Sequence, residues 1–467
     1  MILKNANIYI NGEIKEGILF IQNEVIESIL LGTNQKNLNI IRQKNQDGIE
    51  LNCEKRIILP GIIDIHSHLR DMGESHKETY ITGTKAAAFS GITTIFNMPN
   101  TIPPANTSER IKEWMNKALN NIFVDTGFIA GVPEGINEEE IEKIIKLGVI
   151  GFKIYPLKPL SGTNWKNPSN IQKILLISSK FQIPIFIHPD WPSSKIKKER
   201  LIDMNIQRGT PLLQIHNNLY PCKRETMFIK FVLENYFTVI GDYTLPPEKY
   251  PIVHFCHISC KESIKELTLY DEYDIKPNIS FEVTPHHLLL NYNIDLEIPS
   301  YGKVLPPLRQ KSNPKYLFNK LKKGKIKYIG TDHAPHTIEE KSLPFFEAPS
   351  GFPGFETYTL LLLDKVFQDQ LKLHYFVQAA AENPALKFNL KMKGFIKEQY
   401  YADLLIIEKV EDHPIDVQEF KTKAKYTPFE NSKFSDQLTS AKIWKVILRG
   451  KEINIENSAP SGRIITM

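Results

Sequence analysis

The chain has 467 residues, 24% charged side chains and a formal net charge of +5. Its 58 basic and 53 acidic residues are too evenly balanced to indicate a partner such as nucleic acid. Because no apolar run approaches the roughly 20 residues that span a bilayer, and no secretory signal is visible, we expect a soluble cytoplasmic protein that is not bound to a membrane.

Both ends of the chain are predicted to be β-rich. Short apolar segments alternate with turns through the first fifty-odd residues, and the same pattern returns at 402–407 and 443–450. We therefore expect residues 1–56 and 393–467 to form one small β domain. The central domain would then comprise residues 57–392.

Eight apolar, strand-like segments alternate with amphipathic helical stretches in the central part. The segments are 57–65, 92–97, 123–130, 149–155, 184–188, 251–257, 279–283 and 328–331. An α/β chain with eight such units has the size and rhythm of a TIM-type (β/α)8 barrel. In that fold the chemistry takes place at the C-terminal ends of the strands.

The four cysteines do not indicate a disulfide framework. Cys53, Cys222, Cys256 and Cys260 show neither a CxxC spacing nor the density of a disulfide-rich protein. This usage is typical of a reducing compartment.

The most informative segment is Asp64-Ile-His-Ser-His-Leu-Arg70, at the end of the first central strand. Two histidines two positions apart on a strand point to the same side, so His66 and His68 can bind one metal ion. A coincidental surface pair is the alternative. Further ligands after other strands decide against it, namely His188, His257 and Asp332. Nitrogen and oxygen ligands of this kind are those that zinc prefers.

Lys153 ends the fourth strand, where a metal ion would repel an ammonium group. A neutral lysine amine can instead react with carbon dioxide to form a carbamate, which is an anionic oxygen ligand. The alternative is a lysine whose ammonium extends into solvent. Spacing alone favours that alternative.

Six segments, found in order along the chain, resemble the dihydroorotase family of cyclic amidohydrolases. They are Asp64-Ile-His-Ser-His-Leu-Arg70, Met98-Pro-Asn-Thr101, Gly151-Phe-Lys153, Glu282-Val-Thr-Pro-His-His-Leu288, Pro306-Pro-Leu-Arg309 and Thr331-Asp-His-Ala-Pro-His-Thr337. The short metal motifs are shared with hydantoinases and allantoinases. The run Asp332-His-Ala-Pro-His336, followed by Glu339-Glu-Lys341, favours dihydroorotase among them.

The resemblance implies two zinc ions per chain. His66, His68 and Asp332 would bind one ion, and His188 and His257 the other. A carbamate formed from carbon dioxide on Lys153 and a hydroxide would bridge the two. Asp332 would also be the catalytic general base and then acid.

The resemblance also implies a set of substrate-binding residues. Arg70, Asn100 and His336 would bind the substrate carboxylate and the neighbouring carbonyls. Backbone groups of Ser350 and Gly351 would close over the pyrimidine ring. The loop 156–164 is a candidate lid, although a static surface loop fits the sequence equally well.

The activity that the resemblance implies is the reversible cyclisation of N-carbamoyl-L-aspartate to L-dihydroorotate and water, a step of pyrimidine biosynthesis. A hydantoinase, dihydropyrimidinase or allantoinase is the alternative, but their substrates lack the ring carboxylate or present different groups, which would leave Arg70 without its purpose. A non-catalytic scaffold would be expected to lack metal ligands, and every ligand is present here. A homodimer and an association with other enzymes of the pathway both stay open.

Two positions depart from the family pattern. Leu305 stands where many members carry an asparagine or arginine that contacts substrate. We therefore expect either that Arg309 or another donor compensates, or that the substrate differs. Asp190 follows His188-Pro189 where a small residue and a glutamate are usual, which predicts altered surroundings for His188.

Overall fold

The computed structural model describes residues 1–32, 39, 48–269, 276–429 and 438–467. Its strands are β1 (Ile2–Ile10), β2 (Glu13–Gln22), β3 (Val25–Leu31), β4 (Glu50–Asn52), β5 (Ile57–Pro60), β6 (Ile62–Ser67), β7 (Ile92–Asn97), β8 (Asp125–Gly131), β9 (Gly151–Ile154), β10 (Ile185–Ile187), β11 (Val253–Phe255), β12 (Ile279–Phe281), β13 (Leu404–Pro414), β14 (Leu438–Leu448), β15 (Lys451–Glu452) and β16 (Ile464–Ile465).

Helices occupy most of the connections between these strands. The α-helices are Tyr80–Phe89, Ser108–Ala118, Glu138–Lys146, Pro168–Phe181, Lys195–Gln207, Leu212–Leu219, Cys222–Asp242, Lys261–Thr268, Pro285–Leu289, Ser312–Leu321, Ile338–Lys341, Phe355–Phe367, Leu373–Val377 and Asn383–Lys387. Short 3-10 helices lie at Met72–Glu74, Glu134–Ile136, Pro247–Lys249 and Pro299–Gly302. A π-helical turn spans Gln378–Glu382.

Helix starts follow local capping chemistry. The Thr79 side chain accepts a hydrogen bond from the backbone N–H of Thr82. In the same way, the Thr82 side chain accepts one from the backbone N–H of Thr79. Asn137 accepts from the backbone N–H of Glu140 at the start of Glu138–Lys146. These side chains satisfy N–H groups that have no partner inside the helix.

Strands β6 to β12 form one parallel sheet in sequential order. Two isolated parallel bridges, Ser67 with His333 and Val283 with Ile329, join the outer strands through the segment around Gly330. The ring of strands thereby closes, which confirms the predicted TIM-type barrel. Strands β6, β7 and β8 are buried along their whole length, which is typical of parallel strands covered on both faces.

The two ends of the chain build a second sheet, in the order β15-β14-β13-β5-β1-β2-β3, with β4 paired to β1. Strand β5 joins the two halves, since it pairs with β1 in parallel and with β13 in antiparallel fashion. A β-rich unit made from both termini is thus confirmed. The boundaries of the three parts, 1–56, 57–392 and 393–467, stay a prediction.

Two of the eight predicted strands differ in the structure. The segment 57–65 is divided at Gly61 into β5, in the terminal sheet, and β6, in the barrel. A Cβ at Gly61 would lie 2.3 Å from the Thr93 hydroxyl, so only glycine fits this crossing. The segment 328–331 makes bridges but no regular strand, because the N–H of Thr331 donates to the Asp64 carboxylate at 2.9 Å.

The cysteines also differ from expectation. Cys222 and Cys260 form a disulfide, with their Cα atoms 5.8 Å apart. The pair is 38 residues apart in sequence, and only the folded chain brings helix Cys222–Asp242 beside the loop after β11. Cys53 and Cys256 are free and buried. Within the described residues, no helix combines the length and apolar character needed to cross a membrane.

Candidate metal-dependent active site

The barrel brings all six predicted metal ligands to one end. His66 lies on β6 and Lys153 on β9, while His188 and His257 follow β10 and β11 directly. An aromatic layer supports them from below: Phe186, two residues before His188 and therefore on the same side of β10, lies 5.4 Å from the ring of Phe388. The ligands stand on rigid strand ends, as a preorganised site requires.

The first group of ligands is compact. The Oδ1 atom of Asp332 lies 3.1 Å from His68 Nε2 and 3.5 Å from His66 Nε2. One ligand atom from each of the three residues lies within 4.8 Å of the other two. Burial raises the pKa of Asp332, but the His66 charge and the His68 hydrogen bond outweigh it and hold the pKa well below its usual range. Burial and the Lys153 charge lower the pKa of His66, but the Glu282 charge outweighs them and raises it to about 10, whereas burial lowers the pKa of His68 to about 4. The group therefore presents a carboxylate, the neutral ring of His68 and the protonated ring of His66, which would have to release its proton to bind a metal ion.

The second group adjoins the first. His188 Nδ1 lies 2.9 Å from His257 Nε2, and the rings of His257 and His66 stack with their centroids 5.1 Å apart. Burial lowers the pKa of His188 to about 3 and that of His257 well below its usual range. Both rings are therefore neutral at pH 7, and one of the two facing nitrogens, His188 Nδ1 or His257 Nε2, donates to the lone pair of the other. A metal ion between them would take the place of this hydrogen bond.

Several ring nitrogens in the site have no hydrogen-bond partner among the described residues. They are His66 Nε2, His188 Nε2 and His257 Nδ1, all fully buried. Buried polar atoms without a partner are uncommon, and binding a metal ion is one way in which such atoms are satisfied. The nitrogen and carboxylate donors of His66, His68 and Asp332, with His66 Nε2 unpartnered among the described residues, are of the kind that could hold a metal ion.

Lys153 is buried within this cluster, with 2% of its surface exposed. Its Nζ donates to Cys256 Sγ at 2.8 Å and lies 5.3 Å from the centroid of the Tyr155 ring. The alternative interpretation requires the ammonium group to extend into solvent. The buried position of the side chain does not agree with it. Among the ion pairs of the described residues, none involves Lys153.

Two buried carboxylates that received no role from the sequence orient the ligands. Glu282 accepts from His66 Nδ1, from His254 Nε2 at 3.1 Å and from the His257 backbone N–H at 3.2 Å. Burial raises the pKa of Glu282, but His66 and His254 outweigh it and lower the pKa to about 2. Asp64 accepts from the His66 backbone at 3.1 Å. Such partners fix the tautomer and direction of a metal ligand.

Glu282 and Cys256 also form a second compact group with His66. The signal that could have found it is the sequence Phe255-Cys-His257, which places Cys256 beside a ligand at a strand end. The contact of Glu282 with His66 spans 216 positions, and no local pattern encodes it.

The predicted substrate residues Arg70 and His336 lie together at the edge of the ligand cluster. Arg70 Nη2 is 3.1 Å from His336 Nε2, and Arg70 Nε donates to the Pro335 carbonyl at 3.1 Å. Burial and the Arg70 charge lower the pKa of His336 to about 3, so its ring is neutral. His336 Nε2 therefore accepts from Arg70, and Nδ1–H donates to Glu340 at 3.2 Å.

Asn100 is partly engaged by a metal ligand. Its Oδ1 accepts a hydrogen bond from His68 Nδ1 at 2.6 Å. This bond leaves His68 Nε2 with its lone pair directed at Asp332 and leaves the Asn100 amide N–H groups free to donate. Asn100 can thus serve the ligand and a substrate carbonyl at once.

The predicted ring-covering residues Ser350 and Gly351 lie against the same segment. Gly351 has a φ of +127°, and a Cβ there would lie 2.5 Å from the Ala334 carbonyl and 3.3 Å from His336 Cδ2. Only glycine fits this close approach. The structure therefore brings Arg70, His336 and Gly351 together, with Ser350 next to Gly351 in the chain, while Asn100 contacts the predicted ligand His68.

Of the alternatives for Leu305, compensation by Arg309 does not fit the contacts of that side chain. Arg309 is buried and donates to Ser259 Oγ at 2.9 Å and Asn217 Oδ1 at 3.1 Å, with Glu225 Oε2 at 3.4 Å. Its guanidinium is committed to these structural contacts. His286 is buried, and its Nε2 has no hydrogen-bond partner among the described residues.

The change at Asp190 has a structural partner. Its Oδ1 forms an ion pair with Arg224 Nε at 2.8 Å, and both side chains are buried. The surroundings of His188 thus contain a carboxylate–guanidinium pair rather than a free acid.

Comparison with known proteins agrees with this geometry. A family model described as dihydro-orotase-like matches residues 55–148, and an amidohydrolase family model matches residues 224–453. A dihydroorotase from Pyrococcus abyssi is 36% identical over 87% of this chain and 86% of its own length. A dihydroorotase from Methanosphaera stadtmanae is 34% identical over 83% of this chain and 84% of its own length.

Solved structures show the same fold. An L-hydantoinase (dihydropyrimidinase) from Arthrobacter aurescens aligns with a TM-score of 0.86 over 100% of this chain and 99% of its own, at 22% identity. A D-hydantoinase (dihydropyrimidinase) from a Thermus species aligns with a TM-score of 0.83 over 100% and 98%, at 23% identity. At this identity the likeness concerns the fold alone.

Proposed function

This chain belongs to the dihydroorotase family, and from that premise we propose that it catalyses the reversible cyclisation of N-carbamoyl-L-aspartate to L-dihydroorotate and water. The reaction is a step of de novo pyrimidine biosynthesis. The observation that carries the proposal is the buried Arg70–His336 pair beside the ligand cluster. A guanidinium there suits a substrate with a ring carboxylate, which arginine binds with two parallel hydrogen bonds.

The donor set supports two zinc ions, one held by His66, His68 and Asp332 and the other by His188 and His257. When bound, zinc would polarise the amide carbonyl and lower the pKa of water toward about 7. Lys153 would contribute a carbamate: its neutral amine adds to carbon dioxide and releases one proton. The burial of Lys153 without a carboxylate partner among the described ion pairs supports that assignment.

Asp332 is the proton carrier of the proposal. In hydrolysis, its carboxylate accepts a proton from the attacking water and delivers it to the ring nitrogen that leaves. In cyclisation, the same carboxylate removes the proton from the carbamoyl nitrogen. The His66 charge and the His68 hydrogen bond hold the pKa of Asp332 well below its usual range, so the side chain is present as the carboxylate.

The remaining residues orient the ring. Arg70 would bind the carboxylate, while the free N–H groups of Asn100 would donate to a ring carbonyl. His336 holds Arg70 in place through its Nε2 atom, 3.1 Å away. Substrate held in this way would lie with its reacting amide toward Asp332.

The alternatives fit less well. Hydantoinases and related enzymes act on rings without this carboxylate, so a buried guanidinium would have no partner in their reaction. A scaffold without catalysis would not need six buried ligands, three of which have a ring nitrogen without a partner among the described residues. Whether the enzyme forms a homodimer, or associates with other enzymes of the pathway, is open to measurement by sedimentation.

Replacing Arg70 with alanine tests the carboxylate assignment. A buried hydrogen bond to a charged group contributes roughly 1.5–3 kcal/mol, so R70A should raise the KM for L-dihydroorotate by about tenfold or more. Inhibition by hydantoin, a ring without the carboxylate, should hardly change. Steady-state kinetics with hydantoin as the competing ligand measures both effects. As a control, R463A removes an exposed arginine that pairs with Glu24 and should alter neither. Equal weakening of both rings in R70A would contradict the assignment.

A further inference from the structure

Lys341 is a buried lysine to which neither the ligand set nor the substrate set assigns a role. It ends the short helix Ile338–Lys341 and has 0% of its surface exposed. Among the ion pairs of the described residues, none includes Lys341. Burial lowers the pKa of this lysine well below its usual range, and the Lys303 charge adds to the effect. Removing an ammonium group from water is energetically unfavourable, so each of its N–H groups needs a hydrogen-bond acceptor inside the protein.

Three backbone carbonyls provide that compensation. Lys341 Nζ donates to Gly351 O at 2.8 Å, to Pro349 O at 3.0 Å and to Lys303 O at 3.2 Å. An ammonium group has three N–H donors, and each therefore has one acceptor. Two of the three acceptors flank Ser350. The side chain thus clamps the backbone on both sides of the predicted ring-covering residues.

The clamped segment is tied in turn to the substrate side of the site. Gly351 N–H donates to Lys303 O at 2.9 Å, so the Lys341 ammonium and the Gly351 N–H share one acceptor. Phe352 O accepts from the Ala334 N–H at 3.0 Å. The backbone at Gly351 therefore sits against Ala334 and His336, and His336 contacts Arg70.

A second buried lysine anchors the earlier part of the same loop. Lys303 Nζ donates to Phe345 O at 2.6 Å and to Ala348 O at 2.5 Å. The two lysine side chains bind different parts of the loop. Lys303 donates to backbone carbonyls within 345–348, and Lys341 donates to backbone carbonyls within 349–351. Of the two lysine side chains, only that of Lys341 contacts a residue that would meet the substrate ring.

We infer that Lys341 is a positioning residue, whose ammonium holds the Ser350–Gly351 backbone in the place where it receives the pyrimidine ring. The inference rests on the proposed function and names a residue that sets substrate affinity. Lys341 contacts neither a metal ligand nor Asp332 in the described structure, so its loss should act on substrate binding and leave the chemical step nearly intact.

The test compares three variants by steady-state kinetics and by calorimetric binding of L-dihydroorotate. K341M keeps the length of the side chain and removes its donors, so KM and Kd should rise by about tenfold or more while kcat changes less than about threefold. K341R restores donors and should recover part of the affinity. K387M removes another largely buried lysine, whose Nζ donates to Asn278 at the far end of β12, and should change neither constant.

Folding is monitored separately by circular dichroism and thermal unfolding. If K341M does not fold, K341Q, which retains two N–H donors, should fold and show an intermediate rise in KM. An unchanged KM in folded K341M or K341Q, an equal rise in K387M, or the failure of both Lys341 variants to fold would overturn the inference. Absence of dihydroorotate turnover in the native enzyme would instead refute the proposed function.

Discussion

Replacing Lys153 with alanine is expected to reduce both bound zinc and turnover by about 100-fold or more, because the variant loses an anionic ligand and leaves the remaining histidines without it. Lys153 is 2% exposed and lies among His66, His188 and His257, where a lysine ammonium would oppose a cation. Metal analysis of the purified variant and rates of dihydroorotate hydrolysis measure the two effects. Native mass spectrometry should also show one added carbon dioxide on the unmodified protein.

A short carboxylate such as acetate, added to the K153A variant, should recover part of the activity by supplying the missing oxygen ligand. K387A, which removes a lysine remote from the ligands, serves as the control and should keep native zinc and turnover. Unchanged zinc content and activity in K153A would show that Lys153 is a structural lysine hydrogen-bonded to Cys256 and nothing more.

Replacing Asp332 with asparagine is expected to lower kcat by about 10²–10⁴-fold, the range typical of a lost proton carrier. The amide keeps the shape of the side chain and one oxygen near His68, but it cannot accept the proton that Asp332 would carry. The rate of cyclisation and the rate of hydrolysis should fall together, because the same group serves both directions. Measurement of kcat at saturating substrate, with zinc content determined on the same sample, tests this expectation.

The control for this variant is D125N, which makes the same change in a buried carboxylate paired with Lys393 and Arg449. Asp125 begins β8, at the end of the barrel away from the ligands, so D125N should lower stability and leave the kcat of the folded enzyme nearly native. A kcat for D332N within tenfold of the native value, with zinc retained, would assign Asp332 to metal binding alone.

Much of the barrel could be predicted from the sequence because its strands are short apolar runs with clear ends. The segment 92–97 is β7 without any shift, and the segments that became β8 to β12 lie within a few residues of the observed strands. The division at Gly61 could not be predicted, since both halves are apolar and the split depends on Thr93, which belongs to the next strand. The hydrophobic pattern of a sequence indicates that a residue is buried, but it does not indicate which of two sheets the residue belongs to.

The ligands could be placed for a similar reason: they directly follow strands, and parallel strands end on one side. The buried carboxylates that orient the ligands could not be predicted. Glu282 reaches His66 and His254, and Asp64 reaches Thr331 across 267 positions, through contacts that only the closed barrel creates. Arg309 illustrates another limit: its place in a motif allows a compensating contact at Leu305, and only the fold shows that its guanidinium is engaged by Ser259 and Asn217.

The disulfide shows the same limit. Nothing in the spacing of Cys222 and Cys260 indicates a bond, because the pairing depends on how the helix Cys222–Asp242 packs beside the loop that follows β11. Lys341 was visible only as part of a family motif. Its three acceptors lie 38, 8 and 10 positions away, and they identify its role only in the folded chain.

The most direct test of the central claim is the ratio of kcat/KM for L-dihydroorotate to that for hydantoin, measured on the native, zinc-loaded enzyme. Both rings contain a cyclic amide, and only dihydroorotate has the carboxylate that Arg70 would bind. The proposal predicts a preference for dihydroorotate of at least about tenfold, the contribution of one buried charged hydrogen bond. Faster hydrolysis of hydantoin than of dihydroorotate would contradict it.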